Sequence, residues 1–271
     1  TVVIIVKTLD EMKALSEAGH KIGPVFDYIK PFIKPGVTTK EIDKLCEKFI
    51  RSSGCTPSFK GFEGFPGSIC ASVNDEVIHG IPSSKRVLKE GDLLKIDIGN
   101  IDKSGYQGDC ARTFFVGEVS KEAKLLAQAT EEAFWEALKV VKPGARVNDI
   151  GYAIQKVADS YGFSALSEYG GHGIGVSMHE DPFIPNCSKG YLPHRGQILR
   201  EGMAICIEPM LILKRPEIYI ADDDWTVISQ DHSLGAHYEN TILIYSEHNE
   251  FTTVDNDVLK HLQEYEKGVN R

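Results

Sequence analysis

The 271-residue sequence predicts an α+β fold made of two duplicated halves, and three observations point to it. The segment LKEGDLLKIDIG at 88–99 aligns with LREGMAICIEPM at 199–210, an offset of 111. Upstream, IKPGVTTKEID at 33–43 aligns with VKPGARVNDIG at 141–151, an offset of 108. A register this steady over about sixty residues marks a repeated supersecondary unit rather than chance. The third observation is that each acidic strand is followed by a second strand-like run headed by another acid: Asp109 before ARTFFVG, and Glu239 before NTILIYS. The halves run from about residue 8 to 118 and from 119 to 250, within one expected domain covering 1–271.

Each Lys-Pro-Gly turn lies between two amphipathic helices, so each half opens helix, turn, helix. The apolar runs ending in Asp97 and Glu208 then read as buried strands, where a carboxylate is rare unless something pairs with it. The first strand returns through the polar turn NIDKSGYQG, while the second makes a longer excursion before Glu239. The aromatic and β-branched content after Asp109 favours a strand. Two hairpin-like pairs result, Asp97 with Asp109 and Glu208 with Glu239, arranged by the repeat about a central cleft. Four carboxylates would repel and protonate if left alone. Two divalent cations, +4 against −4, remove that objection.

Histidine enters through GGHGIGVSMHEDP at 170–182, where glycines around His172 let the backbone approach closely and turn sharply. His179 follows seven residues later, and His79 sits in VNDEVIHGIP ahead of the first acidic strand. Oxygen-rich ligation with one imidazole suits manganese, iron, cobalt or zinc, and a pair of such ions makes a hydrolytic centre. Blander readings compete at single positions: Asp97 as a turn-capping acid, Glu239 as a solvated edge residue, and His79, flanked by Ile78 and Ile81, as a satisfied core histidine. The remaining histidines, such as His20, His194 and His232, read as surface residues.

Together GFPGSICASVNDEVIHGIP, KIDIGN with GYQGDCARTF, YGGHGIGVSMHEDP, EGMAICIEPM and DHSLGAHYENTILI resemble, in that order and spacing, the type I methionine aminopeptidases over nearly the whole chain. The resemblance implies the pita-bread fold, an antiparallel sheet backed by helices with pseudo-two-fold symmetry. It implies that Asp97, Asp109, His172, Glu208 and Glu239 ligate two divalent metal ions, with Asp109 and Glu239 bridging. It further implies removal of N-terminal methionine from peptides and nascent proteins by a hydroxide bridging those ions. In that scheme Glu208 shuttles the proton, His179 helps to stabilise the oxyanion and His79 hydrogen-bonds the scissile amide. The family positions lining the methionine side chain are matched by Phe59, Phe62, Phe65, Cys70, Met178 and Trp225, a set suited to a polarisable thioether. Ordinary core packing competes at Phe59 and Met178, and Phe62 and Phe65 stand where the family often has tyrosine.

Two departures from the resemblance concern spacing. Asp97 and Asp109 are 12 apart, one more than in the relatives, which a bulge or longer loop can absorb, with Asp102 as a nearby decoy. The segment SKGYLPHRGQ at 188–197 reads as an enlarged surface loop.

Composition sets the outer limits. A hydrophobic content of 42 % without an unbroken apolar run near 18 residues predicts no membrane span, and TVVIIV lacks the length and basic flank of a signal peptide. A net charge of −9 without a basic cluster argues against nucleic-acid binding. Six cysteines without a C-x-x-C pair read as reduced thiols of a cytoplasmic protein. A monomer acting near the ribosome is expected. Two alternatives are a proline-directed peptidase of the same fold and a non-catalytic binding protein that kept it.

Overall fold

The computed structural model describes residues 1–269. Each half is entered through the same device. Gly36 and Gly144, the glycines of the two Lys-Pro-Gly turns, both have φ +94°, a conformation open to glycine at little cost. Their amides donate to Leu88 O and Leu199 O, each at 2.8 Å, and those leucines are themselves repeat partners. The helices that follow, Thr39–Ser52 and Val147–Tyr161, both open with an acid that returns to the capping amide: Glu41 to Thr38 N at 2.7 Å and Asp149 to Arg146 N at 2.9 Å. The repeated letters are thus repeated hydrogen bonds.

In the first half the strand Leu93–Ile101 pairs antiparallel with Ile69–Val73 on one side and Gln107–Phe115 on the other. In the second, Ala204–Ile207 lies between Gly171–Gly173 and Asn240–Ile244, again antiparallel. Helices cover the outer faces. Ile42, Cys46 and Ile50 of one helix pack on Ile69, Leu94, Ile96 and Ile98. In the other half, Phe134 of Lys121–Leu138 with Ile150 and Ile154 packs on Ile205, Ile207 and Ile242. Complete burial of such side chains contributes about 1.5–3 kcal/mol each.

The expected central sheet is divided at its middle. A four-stranded and a five-stranded sheet meet through one bridge, in which Ala111 and Glu239 exchange backbone hydrogen bonds at 3.1 and 3.0 Å. On either side a threonine hydroxyl replaces the backbone partner. Thr241 Oγ1 accepts from Asp109 N and donates to Asp109 O, while Thr113 Oγ1 accepts from His237 N and donates to His237 O. An interposed side chain holds the strands wider apart than direct pairing allows, so continuous pairing stops there.

The Asp97–Asp109 hairpin holds no bulge, so the longer spacing expected there falls in its loop. Pairing runs uninterrupted from Leu93↔Phe115 to Ile101↔Gln107, and Asp102–Tyr106 closes the turn with Gly105 at φ +85°. Residues 188–197 carry no helix or strand and are largely exposed, as a surface loop should be. No helix among the described residues is long and apolar enough to cross a membrane.

Candidate metal centre and cleft

Strand alternation places the acids. Asp97 and Gly99 share a face of their strand, and Asp109 lies opposite Gly99, so both carboxylates emerge on the same face of one hairpin. Glu208 and Glu239 flank the pair Ile207↔Asn240 at the end of the other half's central ladder. His172 pairs with Cys206 two residues before Glu208. The glycines around it are required by packing: a Cβ on Gly171 would stand 2.1 Å from Cys206 O, and one on Gly173 2.3 Å from Asp181 O.

The five residues converge. His172 Nδ1 lies 2.8 Å from Gly173 O, which directs Nε2 into the cluster, 3.2 Å from Glu208 Oε1, 3.5 Å from Asp109 Oδ2 and 3.8 Å from Glu239 Oε2. One ligand atom each from Asp109, His172, Cys206 and Glu239 lie within 4.8 Å of one another, as do those of Asp97, Glu208, His237 and Glu239. Glu239 is 1 % exposed, which disposes of the solvated-edge reading. Asp97 Oδ1, Asp109 Oδ1 and both Glu239 oxygens are buried without a hydrogen-bond partner.

Such orphaned acceptors cost free energy unless a cation or proton meets them. Burial, then repulsion from Asp109 and Glu208, drives the Asp97 and Glu239 carboxyls well above the usual range. Burial also opposes charge on Glu208 and His172, but hydrogen bonding outweighs it. His172 and then His237 lower Glu208 to about 2, and Asp109 and then Glu208 raise His172 to about 10. The imidazolium answers one of four carboxylates, and the donor set of carboxylates and one imidazole fits divalent ions.

Asp97, Asp109, His172 and Glu208 wall a cavity of 760 Å³. His79 follows the strand Glu76–Ile78 and lies at φ +62°, a strained conformation for a non-glycine residue. Its ring packs edge-on against Tyr169 at 5.4 Å, and burial lowers its pKa to about 4. His179 lies perpendicular to His172 at 4.4 Å, on the open side of the cleft. Phe59, Phe62, Phe65, Cys70, Met178 and Trp225 all line the same cavity, with Phe65 and Trp225 edge-on at 5.0 Å. Phe59, Phe65, Cys70 and Met178 form a small cluster of their own, separate from the main cores.

The structure also separates some residues from the site and adds others. Asp102 is held by Lys21 at 2.8 Å and does not line the cleft. Cys206 stands beside the centre, but burial and then the Asp109 carboxylate keep its thiol protonated, with Thr241 Oγ1 at 3.4 Å. All six cysteines are free and buried. His20, His194 and His232 are exposed as expected, but His237 is 1 % exposed, with Nε2 3.0 Å from Glu208 Oε2. One signal was available in the sequence: residue 237 is two before Glu239, the spacing at which strand neighbours share a face.

Comparison with known proteins follows the same outline. The profile of metallopeptidase family M24 matches residues 13–246. The methionine aminopeptidase of Clostridium acetobutylicum is 45 % identical over 251 residues, covering 93 % of this chain and 99 % of that protein. Methionine aminopeptidase 1 of Bacillus subtilis is 45 % identical over 241 residues, covering 89 % and 95 %. Among solved structures, methionine aminopeptidase from Rickettsia prowazekii superposes with a TM-score of 0.89 at 38 % identity, covering 93 % of this chain and all of that one.

Proposed function

The chain belongs to metallopeptidase family M24, and from that premise we propose that it is a metal-dependent aminopeptidase removing N-terminal methionine from polypeptides. The observation that carries this is the buried cluster of four carboxylates and His172, with orphaned oxygens, opening onto an aromatic and sulfur-lined pocket. Asp97, Asp109 and Glu239 would hold one ion, and Asp109, His172, Glu208 and Glu239 the other. When bound, two divalent ions (cobalt, manganese, iron or zinc) supply Lewis acidity at the scissile carbonyl and an acidified water.

The chain's own groups do the rest. The Glu208 carboxylate takes the proton of the attacking water and passes it to the leaving amine. His79, neutral at pH 7 because burial holds its pKa near 4, hydrogen-bonds the scissile amide without adding charge. His179, at the open side, donates to the oxyanion. The thioether packs against Phe59, Phe65, Cys70, Met178 and Trp225, and Phe62, partly exposed, closes the rim. The two halves act as one catalytic domain, since each supplies ligands to one cavity. A monomer acting in the cytoplasm on nascent chains near the ribosome fits six free buried thiols.

The test is release of methionine from Met-Ala-Ser by chelator-stripped protein reloaded singly with manganese, iron, cobalt or zinc, beside Glu208→Gln. Metal-dependent release that the substitution abolishes supports the proposal. No release despite binding of two ions, with cleavage of X-Pro peptides instead, replaces it with the proline-directed activity. Equal turnover of leucine- and methionine-initiated peptides removes the specificity assignment.

A further inference from the structure

His237 has no place in the ligand set, yet among the described residues its ring makes one polar contact, and that contact is with Glu208. We propose that His237 is a positioning residue: its Nε2–H holds Glu208 Oε2, so that the carboxylate presents Oε1 alone to the centre. The role rests on the metal reading above.

Three observations converge on it. First, the two oxygens of Glu208 are already divided, Oε1 toward His172 at 3.2 Å and Oε2 toward His237 at 3.0 Å. Second, the ring offers only one orientation of its proton. Nδ1 is buried without any partner, and a stranded N–H there would cost more than a bare lone pair, so the proton sits on Nε2 and points at the carboxylate. A histidine present only for packing has no reason to leave one nitrogen empty and aim the other at a ligand.

Third, the backbone beneath it is fixed. His237 N and O are both taken by Thr113 Oγ1, at 3.1 and 2.8 Å. Arg112, paired with Asp255 at 2.9 Å, donates to Glu239 O and Asn240 Oδ1 at 2.7 and 2.8 Å. The segment bearing His237 and Glu239 is therefore clamped from the first half, and the imidazole cannot drift from Glu208.

Direct ligation is the competing role, because a ring nitrogen lies within 4.8 Å of oxygens of Asp97, Glu208 and Glu239. The geometry favours positioning, since Nε2, the nitrogen that faces Glu208, is already engaged by Oε2 at 3.0 Å.

The test compares His237→Leu, similar in bulk without a donor, with His237→Gln, whose amide N–H reaches about as far. Chelator-stripped protein is titrated calorimetrically with manganese, and the visible absorption of cobalt-loaded protein is recorded, after circular dichroism shows each variant folded. His237→Leu weakens one of the two sites by about 10- to 100-fold, the usual effect of losing such a partner. Its cobalt bands change intensity as Glu208 is freed to bind through both oxygens, while His237→Gln stays close to wild type in both measurements.

Unchanged affinities and cobalt spectrum in His237→Leu overturn the proposal. So does His237→Gln failing as badly as His237→Leu, which would make bulk and not the hydrogen bond decisive. Complete loss of one site, with a nitrogen ligand missing from the cobalt resonance spectrum, replaces positioning with ligation. A folded wild type that binds no ion overturns the metal reading itself and this role with it.

Discussion

Asp43 shows how a residue remote from the chemistry sets the pocket. It lies on the helix Thr39–Ser52, 1 % exposed, and its Oδ1 accepts from Ser68 N at 2.8 Å and Ile69 N at 3.1 Å. Those amides begin the strand that carries Cys70 and end the loop that carries Phe62 and Phe65. Asp43→Ala strands both N–H groups in a dry interior at about 1–3 kcal/mol each, so about 2–6 kcal/mol in all. For a chain of this size, with roughly 2–4 °C per kcal/mol, melting falls by roughly 4–24 °C. Asp43→Asn keeps the Oδ1 acceptor and gives up the half-exposed ion pair with Lys40, 3.0 Å away, a change worth about 1 kcal/mol or less. Scanning calorimetry measures the first effect. Kinetics of Asp43→Ala on Met-Ala-Ser show a rise in KM as the pocket wall loosens, with metal stoichiometry intact. Melting of Asp43→Ala within about 2 °C of wild type refutes the account of the two amides. Loss of bound metal refutes the assignment of this clamp to the pocket.

Three further outcomes are expected. His79→Ala and His179→Ala each lower turnover by about 10²- to 10⁴-fold with metal content retained; an emptied site in either would put that histidine among the ligands. Stripping the metal lowers thermal stability, because ions bound only by the native state stabilise it by about 2.7 kcal/mol at a hundred-fold excess over Kd; identical melting with and without metal would support a non-catalytic protein. Lys95 is fully buried, its ammonium on Asn74 O and Leu93 O, and burial lowers its pKa to about 7. Between that value and its ordinary 10.5 the unfolded chain binds the extra proton. Stability therefore rises with pH across this window and is lost as pH falls through it. Lys95→Met should flatten this slope in denaturant titrations at about pH 7.5 and 9.5, and an equal slope in both proteins would show that another group sets it.

Much of the candidate site was legible because its signals are local. The acids were found by their place beside apolar runs, and the glycines around His172 by the close approach they permit, which the Cβ positions at Gly171 and Gly173 bear out. His237 was passed over because a histidine flanked by alanine and tyrosine carries no local mark of burial. Its partner Glu208 lies 29 residues away. Asp43 escaped for the same reason, reading as one more acid on an amphipathic helix.

What the sequence determined by itself is the duplication and its joints. A glycine at φ +94° after Lys-Pro, an acid returning to a capping amide and a two-residue strand period are all properties of adjacent residues, so the chain states them twice and they can be compared. What only the tertiary structure decided is the seam between the halves. Thr113 and Thr241 replace backbone partners there, Arg112 clamps the opposite strand, and His237 divides the oxygens of Glu208. These contacts join residues more than a hundred positions apart or fix a carboxylate's orientation, and both depend on where sheets come to rest against each other, which no local spacing encodes.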